Sequence, residues 1–225
     1  MSAARVGVLA LQGAVSEHLT MLGRADMRGV PVKRPEDLRG LSGLVIPGGE
    51  STAISRLVRR NGLSAPIREF ARTRPVLGTC AGLILCAKEI SGGGGAMPGH
   101  TDAERHAFET AAEGPEPLCL MDISVSRNGF GRQVDSFETC LAMRNVGEDI
   151  PAVFIRAPYI ERAGDGITVL ATVRDKIVAA ESGNVLVTAF HPELTEDLRV
   201  FRYFREKVAR VQDGGCIPAR AGCGE

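Results

Sequence analysis

A cysteine flanked by glycines is the part of the sequence that most clearly indicates chemistry. Gly78-Thr79-Cys80-Ala81-Gly82 follows a short apolar run typical of a strand and precedes one typical of a helix. This G-x-C-x-G pattern at a strand-to-helix turn is that of a nucleophile elbow, with sulfur in place of a hydroxyl. Such a turn exposes the nucleophile, and the helix N-terminus favours its thiolate. We therefore predict that Cys80 is a catalytic nucleophile; a buried cysteine beside a glycine-rich turn is the alternative.

A histidine in the last quarter of the chain can serve as the proton carrier for this thiol. His191 follows a β-branched run, and Pro192 favours extended geometry in the residue before it. Side chains two positions apart in an extended segment point the same way, so Glu193 can orient the imidazole and stabilise its cation. The sequence thus predicts a Cys80, His191 and Glu193 triad, with a structural loop histidine as the alternative. His18, on the first predicted helix, is expected to be structural or interfacial.

Backbone donors for a developing oxyanion are predicted in two places. Gly48 and Gly49 end a buried strand, and without Cβ atoms they let the backbone approach a substrate closely. The amide of Ala81, next to the nucleophile, is the second candidate. The Gly-Gly pair lacks the Gly-Lys-Ser/Thr of a phosphate-binding P-loop, which leaves a simple turn as the alternative.

The elements that must position these residues alternate regularly. Apolar runs typical of buried strands alternate with amphipathic segments typical of helices. The predicted strands are 6–11, 30–33, 44–46 and 75–78, and the predicted helices are 15–27, 51–61, 64–71 and 82–90. This order predicts an α/β fold with a three-layer, doubly wound, mostly parallel sheet. In the C-terminal half, turn signals at 174–175 and 182–184 separate short β-branched runs, which predicts antiparallel hairpins.

The chain length of 225 residues favours a single domain. We expect that domain to extend over 1–211 and to close with a helix over about 195–211. The Gly- and Pro-rich stretch 91–117 is expected to be a surface insertion, and 212–225 a flexible tail. His100 and His106 within the insertion are six residues apart and do not share a helical face, so no metal site is predicted.

Composition excludes several functional classes. Lys plus Arg and Asp plus Glu number 27 each, so no net positive charge favours nucleic acid or an anionic membrane. No apolar run approaches the roughly 18 residues that a membrane helix needs. None of the six cysteines forms a CxxC pair, and no signal-peptide pattern is visible. We expect a cytoplasmic protein with reduced thiols, although Cys216 and Cys223 in the tail are close enough in sequence to pair.

Together these motifs resemble the class I, triad-type glutamine amidotransferases, which have a flavodoxin-like fold. Within that family the sequence resembles the glutaminase subunits of pyridoxal 5′-phosphate synthases. The Cys and His-x-Glu elements are shared by many amidotransferases, and the remaining motifs point to the subfamily. The segments are LQG (11–13), PGGEST (47–52), GTCAGL (78–83), RNGFGRQ (127–133), SFE (136–138), FIRAP (154–158) and FHPELT (190–195). They extend over nearly the whole chain.

The resemblance implies an activity and a set of substrate contacts. Cys80 would attack the side-chain amide of L-glutamine, and the glutamyl thioester would hydrolyse to glutamate without a metal or organic cofactor. A guanidinium suits the substrate α-carboxylate and Glu50 its α-ammonium, but the sequence does not say which arginine is used. The residues that correspond to the family's glutamine contacts are Gly49, Glu50, Ser51, Arg127, Ile155 and Arg156.

The resemblance also implies a partner. Ammonia would pass to a separate (β/α)8-barrel synthase subunit, which condenses it with a pentose phosphate and a triose phosphate to form pyridoxal 5′-phosphate. Because the glutaminases of this family are nearly inactive until they dock, we expect the Gly48–Gly49 peptide to complete the oxyanion hole only in the complex. Two alternatives remain open: a thiol peptidase or glutaminase that acts alone, and a non-catalytic subunit on the same fold.

Overall fold

The computed structural model describes residues 3–91, 114–127 and 136–212. Its strands are β1 (Arg5–Leu9), β2 (Arg28–Val32), β3 (Gly43–Ile46), β4 (Val76–Thr79), β5 (Glu89–Ser91), β6 (Ile123–Ser126), β7 (Ser136–Met143), β8 (Gly147–Ile155), β9 (Tyr159–Ala163), β10 (Thr168–Val173), β11 (Lys176–Ser182) and β12 (Val185–Thr188). Its α-helices are α1 (Val15–Arg24), α2 (Ser51–Arg60), α3 (Ser64–Thr73), α4 (Ala81–Cys86) and α5 (Arg199–Gln212). Short 3-10 turns lie at Pro35–Leu38 and Pro192–Leu194.

Ten of these strands form one mixed sheet in the order β2-β1-β3-β4-β12-β11-β9-β6-β5, with β10 paired to β11. The five strands from β2 to β12 in that order are parallel to one another. Beyond β12 the pairings with β11, β9, β10 and β6 are antiparallel. Strands β7 and β8 pair as a separate hairpin. The predicted α/β class and the change from parallel strands to C-terminal hairpins are therefore confirmed.

The parallel half of the sheet forms the centre of the core. All residues of β3, β4 and β12 are buried, as a sheet covered on both faces requires. The largest buried side chains of α5, Phe201 and Phe204, are fully enclosed. Because parallel strands end at one edge of a sheet, the loops after β1, β3, β4 and β12 meet there. That edge carries the Gly-Gly pair, the cysteine and the histidine.

The predicted turns and helix ends were partly right. Arg174 and Asp175 both have positive φ, at 49° and 62°, as a tight turn between β10 and β11 demands. Helix α4 is shorter than predicted: it ends at Cys86, and Glu89–Ser91 instead forms β5, which pairs with β6. The last helix begins four residues later than expected because the Pro192–Leu194 turn precedes it.

Two predicted segments lie outside the described residues. Positions 92–113 of the insertion and 213–225 of the tail belong to this group, with His100, His106, Cys216 and Cys223 among them. The domain limits proposed from the sequence thus stay predictions. Within the described ranges, no helix combines the length and apolar character needed to cross a membrane.

Candidate active site

Cys80 occupies the sharp turn between β4 and α4 that the sequence predicts. Its backbone has φ 48° and ψ −101°, an unusual conformation for a residue with a side chain. The flanking glycines are required by close packing: a Cβ at Gly82 would lie 2.0 Å from the Ile46 carbonyl oxygen, and one at Gly78 would lie 2.8 Å from the Gly82 backbone. The helix and its neighbouring strands can approach this closely only because both positions are glycine.

The three predicted catalytic side chains come together. His191 Nδ1 lies 2.6 Å from Glu193 Oε1. Cys80 is near enough to the imidazole to raise its pKa, and because Nδ1 is engaged by the carboxylate, Nε2 is the nitrogen left to serve the sulfur. Burial lowers the pKa of His191, but the hydrogen bonds and charges of Cys80 and Glu193 outweigh it and raise the pKa to about 10. The site therefore favours an imidazolium beside the nucleophile.

The neighbouring cysteine provides a useful contrast. Cys86, at the end of α4, is completely enclosed, and burial raises the pKa of its thiol to about 12. Cys80 is 7% exposed and contacts a cationic imidazole. Thiolate character and access both decide cysteine reactivity. Position in the fold thus separates the predicted nucleophile from a core residue six positions away.

The loop after β3 is held in one orientation. The Gly48 N–H donates to Thr79 Oγ1 at 3.0 Å, and the Gly48 carbonyl accepts from the Ala14 N–H at 3.1 Å. In this conformation, donation by Gly48 itself to an oxyanion would require the bond to Thr79 to break. The amide of Gly49, in the peptide whose carbonyl Ala14 holds, and the amide of Ala81 in the first turn of α4 are the remaining candidates.

Glu50 and its neighbours connect this loop to α2. The Glu50 N–H donates to Gln12 Oε1 at 2.8 Å, while its carboxylate accepts from the amides of Thr52 and Ala53 at 2.9 and 2.6 Å. Partial burial raises the pKa of Glu50, but those amides and Arg127 lower it overall. A carboxylate at this position caps the helix. The Glu50 side chain is thus an ionised group at the rim of the site.

Arg127, the residue that follows β6, reaches the same rim. Its Nη2 lies 3.4 Å from Thr52 Oγ1 and 3.9 Å from Glu50 Oε1. The structure therefore brings together two charged groups of opposite sign that are 77 positions apart in sequence, since 127 − 50 = 77. Positions 128–133, the remainder of that motif, lie outside the described residues.

Ile155 and Arg156 reach the site through a backbone contact. The His191 N–H donates to the Val153 carbonyl oxygen at 2.9 Å, which places the end of β8 beside the triad. Ile155 is 37% exposed, and Arg156 is exposed with a positive φ of 44°. These two residues therefore lie near the triad, but no hydrogen bond ties them to Glu50 or Arg127 among the described residues.

Three side chains support the site through contacts that sequence reasoning did not specify, and His18, expected to be structural, is one of them. His18 is fully buried and its Nε2 lies 3.5 Å from Glu193 Oε2; the sequence marks only its place on an amphipathic helix. Thr79 occupies the variable position of the G-x-C-x-G pattern, so the pattern gave it no role. Gln12 belongs to a motif that the resemblance uses, but only the fold shows it supporting the Glu50 amide. No cluster of three metal-ligating side chains occurs in the described ranges.

Comparison with known proteins agrees with this geometry. The sequence pattern of the SNO glutamine amidotransferase family matches residues 8–100 and 105–210. The chain belongs to this family. A crystal structure described as a glutamine amidotransferase is 42% identical, covers 91% of this chain and 98% of its own, and superposes with a TM-score of 0.78. A putative GMP synthase component from Thermoplasma acidophilum, 16% identical over 95% of this chain and 98% of its own, shares the fold at a TM-score of 0.61.

Two curated relatives are more specific. The "Pyridoxal 5'-phosphate synthase subunit PdxT" of Brevibacillus brevis is 51% identical over 205 residues, covering 91% of this chain and 97% of the relative. The protein of the same name from Geobacillus kaustophilus is 49% identical over 209 residues, covering 92% of this chain and 96% of the relative. The predicted membership of the glutamine amidotransferases is confirmed, and the chain is an enzyme of that class.

Proposed function

We propose that this chain is the glutaminase subunit of a pyridoxal 5′-phosphate synthase and supplies ammonia for vitamin B6 synthesis. The observation that carries the proposal is the buried imidazole of His191 between Cys80 and Glu193 at the nucleophile elbow. The two PdxT relatives support the choice of pathway, because about half of their residues are identical over nearly their full length.

The first half of the reaction forms a thioester. The Cys80 thiolate attacks the side-chain carbonyl carbon of glutamine, and the carbonyl oxygen becomes an oxyanion. The His191 imidazolium then donates its Nε2 proton to the amide nitrogen, so that the C–N bond breaks and ammonia leaves. The raised pKa of His191 keeps this proton available at neutral pH. Glu193 holds the ring and balances its charge throughout.

The second half restores the enzyme. His191, now neutral, takes a proton from water as the oxygen attacks the thioester carbonyl. Collapse of the second tetrahedral intermediate breaks the C–S bond, releasing glutamate and regenerating the thiolate beside the imidazolium. The amides of Gly49 and Ala81 are the proposed oxyanion donors in both halves, with Gly48 shaping the loop that carries them.

Substrate selection is proposed to rest on the charged rim. The α-carboxylate of glutamine would bind the guanidinium of Arg127, and its α-ammonium would bind the carboxylate of Glu50, since the two groups are already adjacent. Gly49, Ser51, Ile155 and Arg156 complete the proposed substrate contacts. A free amino acid satisfies both charges at once, whereas a residue within a peptide carries neither.

The proposed partner is a (β/α)8-barrel synthase subunit that receives the ammonia. Cys80 and His191 are each only 7% exposed, and we propose that the loop after β3 rearranges when glutamine reaches the sulfur. The Gly48 carbonyl is held by Ala14, and turning the Gly48–Gly49 peptide would break that bond. We propose that docking drives this turn and completes the oxyanion hole. The expected compartment is the cytoplasm, where Cys80 stays reduced.

Glutamate release from glutamine tests the proposal directly. The chain is assayed alone and with an equimolar barrel-type synthase subunit from the same source, with Cys80→Ala as the control. Release that rises strongly with the barrel, and is absent from the Cys80→Ala complex, is expected. Equal and robust release without the barrel would instead identify a glutaminase that acts alone, and the partner assignment would be withdrawn.

A further inference from the structure

A fully buried histidine on α1 lies behind the active site, in a position that the mechanism above does not use. His18 Nδ1 lies 2.6 Å from the carbonyl oxygen of Ala14. A carbonyl oxygen only accepts hydrogen bonds, so Nδ1 must carry the proton that it shares. In the neutral ring the lone pair is then on Nε2, which faces the catalytic side of the helix.

That second nitrogen joins a closed ring of hydrogen bonds. Thr79 Oγ1 lies 3.2 Å from His18 Nε2 and accepts the Gly48 N–H at 3.0 Å. The Gly48 carbonyl in turn accepts from the Ala14 N–H at 3.1 Å. The donor sequence is therefore consistent: Gly48 to Thr79, Thr79 to His18, His18 to Ala14, and Ala14 back to Gly48. The Gly48 N–H is linked to the imidazole through Thr79, and the Gly48 carbonyl is linked to the same imidazole through Ala14.

The same imidazole also contacts the triad. His18 Nε2 lies 3.5 Å from Glu193 Oε2, and both side chains have 0% exposure. Glu193 Oε2 makes no hydrogen bond within the described residues, while Oε1 is bonded to His191. On its other side the His18 ring meets the edge of Phe201 at a centroid distance of 6.0 Å. The edge of Phe201 and the hydrogen bonds to Ala14 and Thr79 thus fix the ring, and Glu193 Oε2 is a near neighbour that is not hydrogen-bonded to it.

We propose that His18 is a positioning residue for glutamine hydrolysis, which holds the Gly48 N–H, through Thr79, in register with the nucleophile elbow. The docking turn proposed above releases only the Gly48 carbonyl from Ala14, so this part of the ring persists in the complex. This inference rests on the proposed function, because the loop matters only if it carries an oxyanion donor. A buried polar ring is costly unless every member is satisfied. Here Thr79 directly precedes the nucleophile Cys80, and it bonds to His18 and to Gly48, which precedes the proposed oxyanion donor Gly49. Loss of the ring is expected to slow chemistry rather than weaken glutamine binding.

Matched variants separate positioning from packing. His18→Asn places an amide near Nδ1 and loses the link to Thr79, whereas His18→Gln reaches the position of Nε2. Thr79→Val removes the hydroxyl at nearly constant volume, and Thr79→Ser keeps it. Val208→Ala truncates a buried side chain of α5 that packs on Gly43, at the start of β3 and away from the catalytic edge. The assay is glutamate release by the complex with the synthase subunit, with thermal unfolding measured alongside.

The expected pattern has three parts. His18→Asn and Thr79→Val lower kcat by about ten- to a hundredfold with KM changed by less than about threefold. The double variant is no worse than the poorer single variant, because both break one network. His18→Gln and Thr79→Ser recover most of the loss, and Val208→Ala lowers the unfolding temperature without lowering kcat.

Two results would overturn the proposal. One is a folded His18→Asn complex with wild-type kcat. The other is a loss of kcat in all variants, including Val208→Ala, in proportion to the loss of unfolding temperature. If His18 variants do not fold, the Thr79→Val and Thr79→Ser pair decides, because equal rates in the two would contradict the network. Wild-type activity that persists in Cys80→Ala would overturn the proposed function instead, whatever the His18 variants do.

Discussion

The interior of the active site and its rim are built differently. In the interior, hydrogen bonds of 2.6–3.2 Å join side chains that are almost entirely enclosed, from Glu193 through His191 on one side and from His18 to Gly48 on the other. At the rim, Arg127 and Glu50 are 3.9 Å apart, with side chains 21% and 55% exposed. Polar groups enclosed by protein interact strongly and need little reorganisation during the reaction, whereas water screens exposed ion pairs. The interior therefore suits chemistry, and the rim suits reversible capture of a charged substrate.

The largest predicted effect breaks the interior. Cys80→Ala is expected to lower glutamate release by at least about 10⁴-fold, as loss of a covalent nucleophile does in other triads. Cys140→Ala, at an exposed cysteine of β7, is the control and should leave the rate unchanged. Steady-state rates of the two complexes make the comparison. Near-normal turnover by the Cys80→Ala complex would show that the covalent mechanism is wrong.

The protonation state of His191 is the next test. Its pKa of about 10 predicts that the ring stays cationic through neutral pH, and ring ¹⁵N NMR of the labelled chain measures this. Because this folded pKa lies above the unfolded value of about 6.5, its contribution to the free energy of unfolding is complete below pH ~6.5. That contribution is lost as pH rises through 10. Replacing Cys80 with Ala should lower the pKa, since one raising partner is removed. A ring that titrates near 6.5 in the wild type would contradict the assignment.

A single methyl group at the loop should misalign the site. A Cβ at Gly48 would lie 2.4 Å from His191 Cε1 and 3.5 Å from Cys80 Cβ. Gly48→Ala is expected to reduce kcat by about a hundredfold, because small displacements of reacting groups cost that much. Gly23→Ala in α1 is the matched control: a Cβ there meets nothing within 4 Å. It should keep wild-type kcat and stabilise the helix by about 0.5–1 kcal/mol. Equal kinetics for the two alanine variants would refute this account of the loop.

Changes at the rim should appear in KM rather than in kcat. Arg127→Gln is expected to raise KM for glutamine by about tenfold or more, since a charge-assisted bond to the α-carboxylate is lost. Arg156→Gln, at the exposed end of β8, is the matched comparison and should change KM less. Initial-rate kinetics over a range of glutamine concentrations distinguish them. The reverse order would move the carboxylate site to Arg156.

The smallest effect is expected from the predicted insertion. Deleting residues 93–115 should leave glutamine hydrolysis by the complex within several-fold, because every motif lies outside them. On the C-terminal side of the deletion, the Glu116 N–H donates to Ser55 Oγ at 2.8 Å, which ties that segment to α2. Circular dichroism and thermal unfolding confirm that the deletion variant folds. A folded variant with no activity would give this segment a role in docking or catalysis.

Local chemistry made most of the fold predictable. Short apolar runs such as 44–46 that are followed at once by Pro47 and two glycines indicate buried strands, because a helix would need a longer stretch. The end of α4 was not predictable in this way. Residues 87–90 are of types that suit a helix, but Ala87 is extended and Glu89–Ser91 pairs with β6. A strand partner more than 30 residues away decides that boundary, and no local pattern contains it.

The sequence by itself marked the predicted catalytic side chains, and the family resemblance implied their order of action. Cys80 is marked by the glycines that its turn requires, and Glu193 by its spacing from His191, because these constraints act over a few residues. Only the tertiary structure decided what supports them. His18, Thr79 and Gly48 lie in three separate segments, yet their hydrogen bonds form one ring behind the triad. A hydrogen bond is sensitive to changes of tenths of an ångström in the distance between donor and acceptor. Packing of the whole sheet sets those distances between elements.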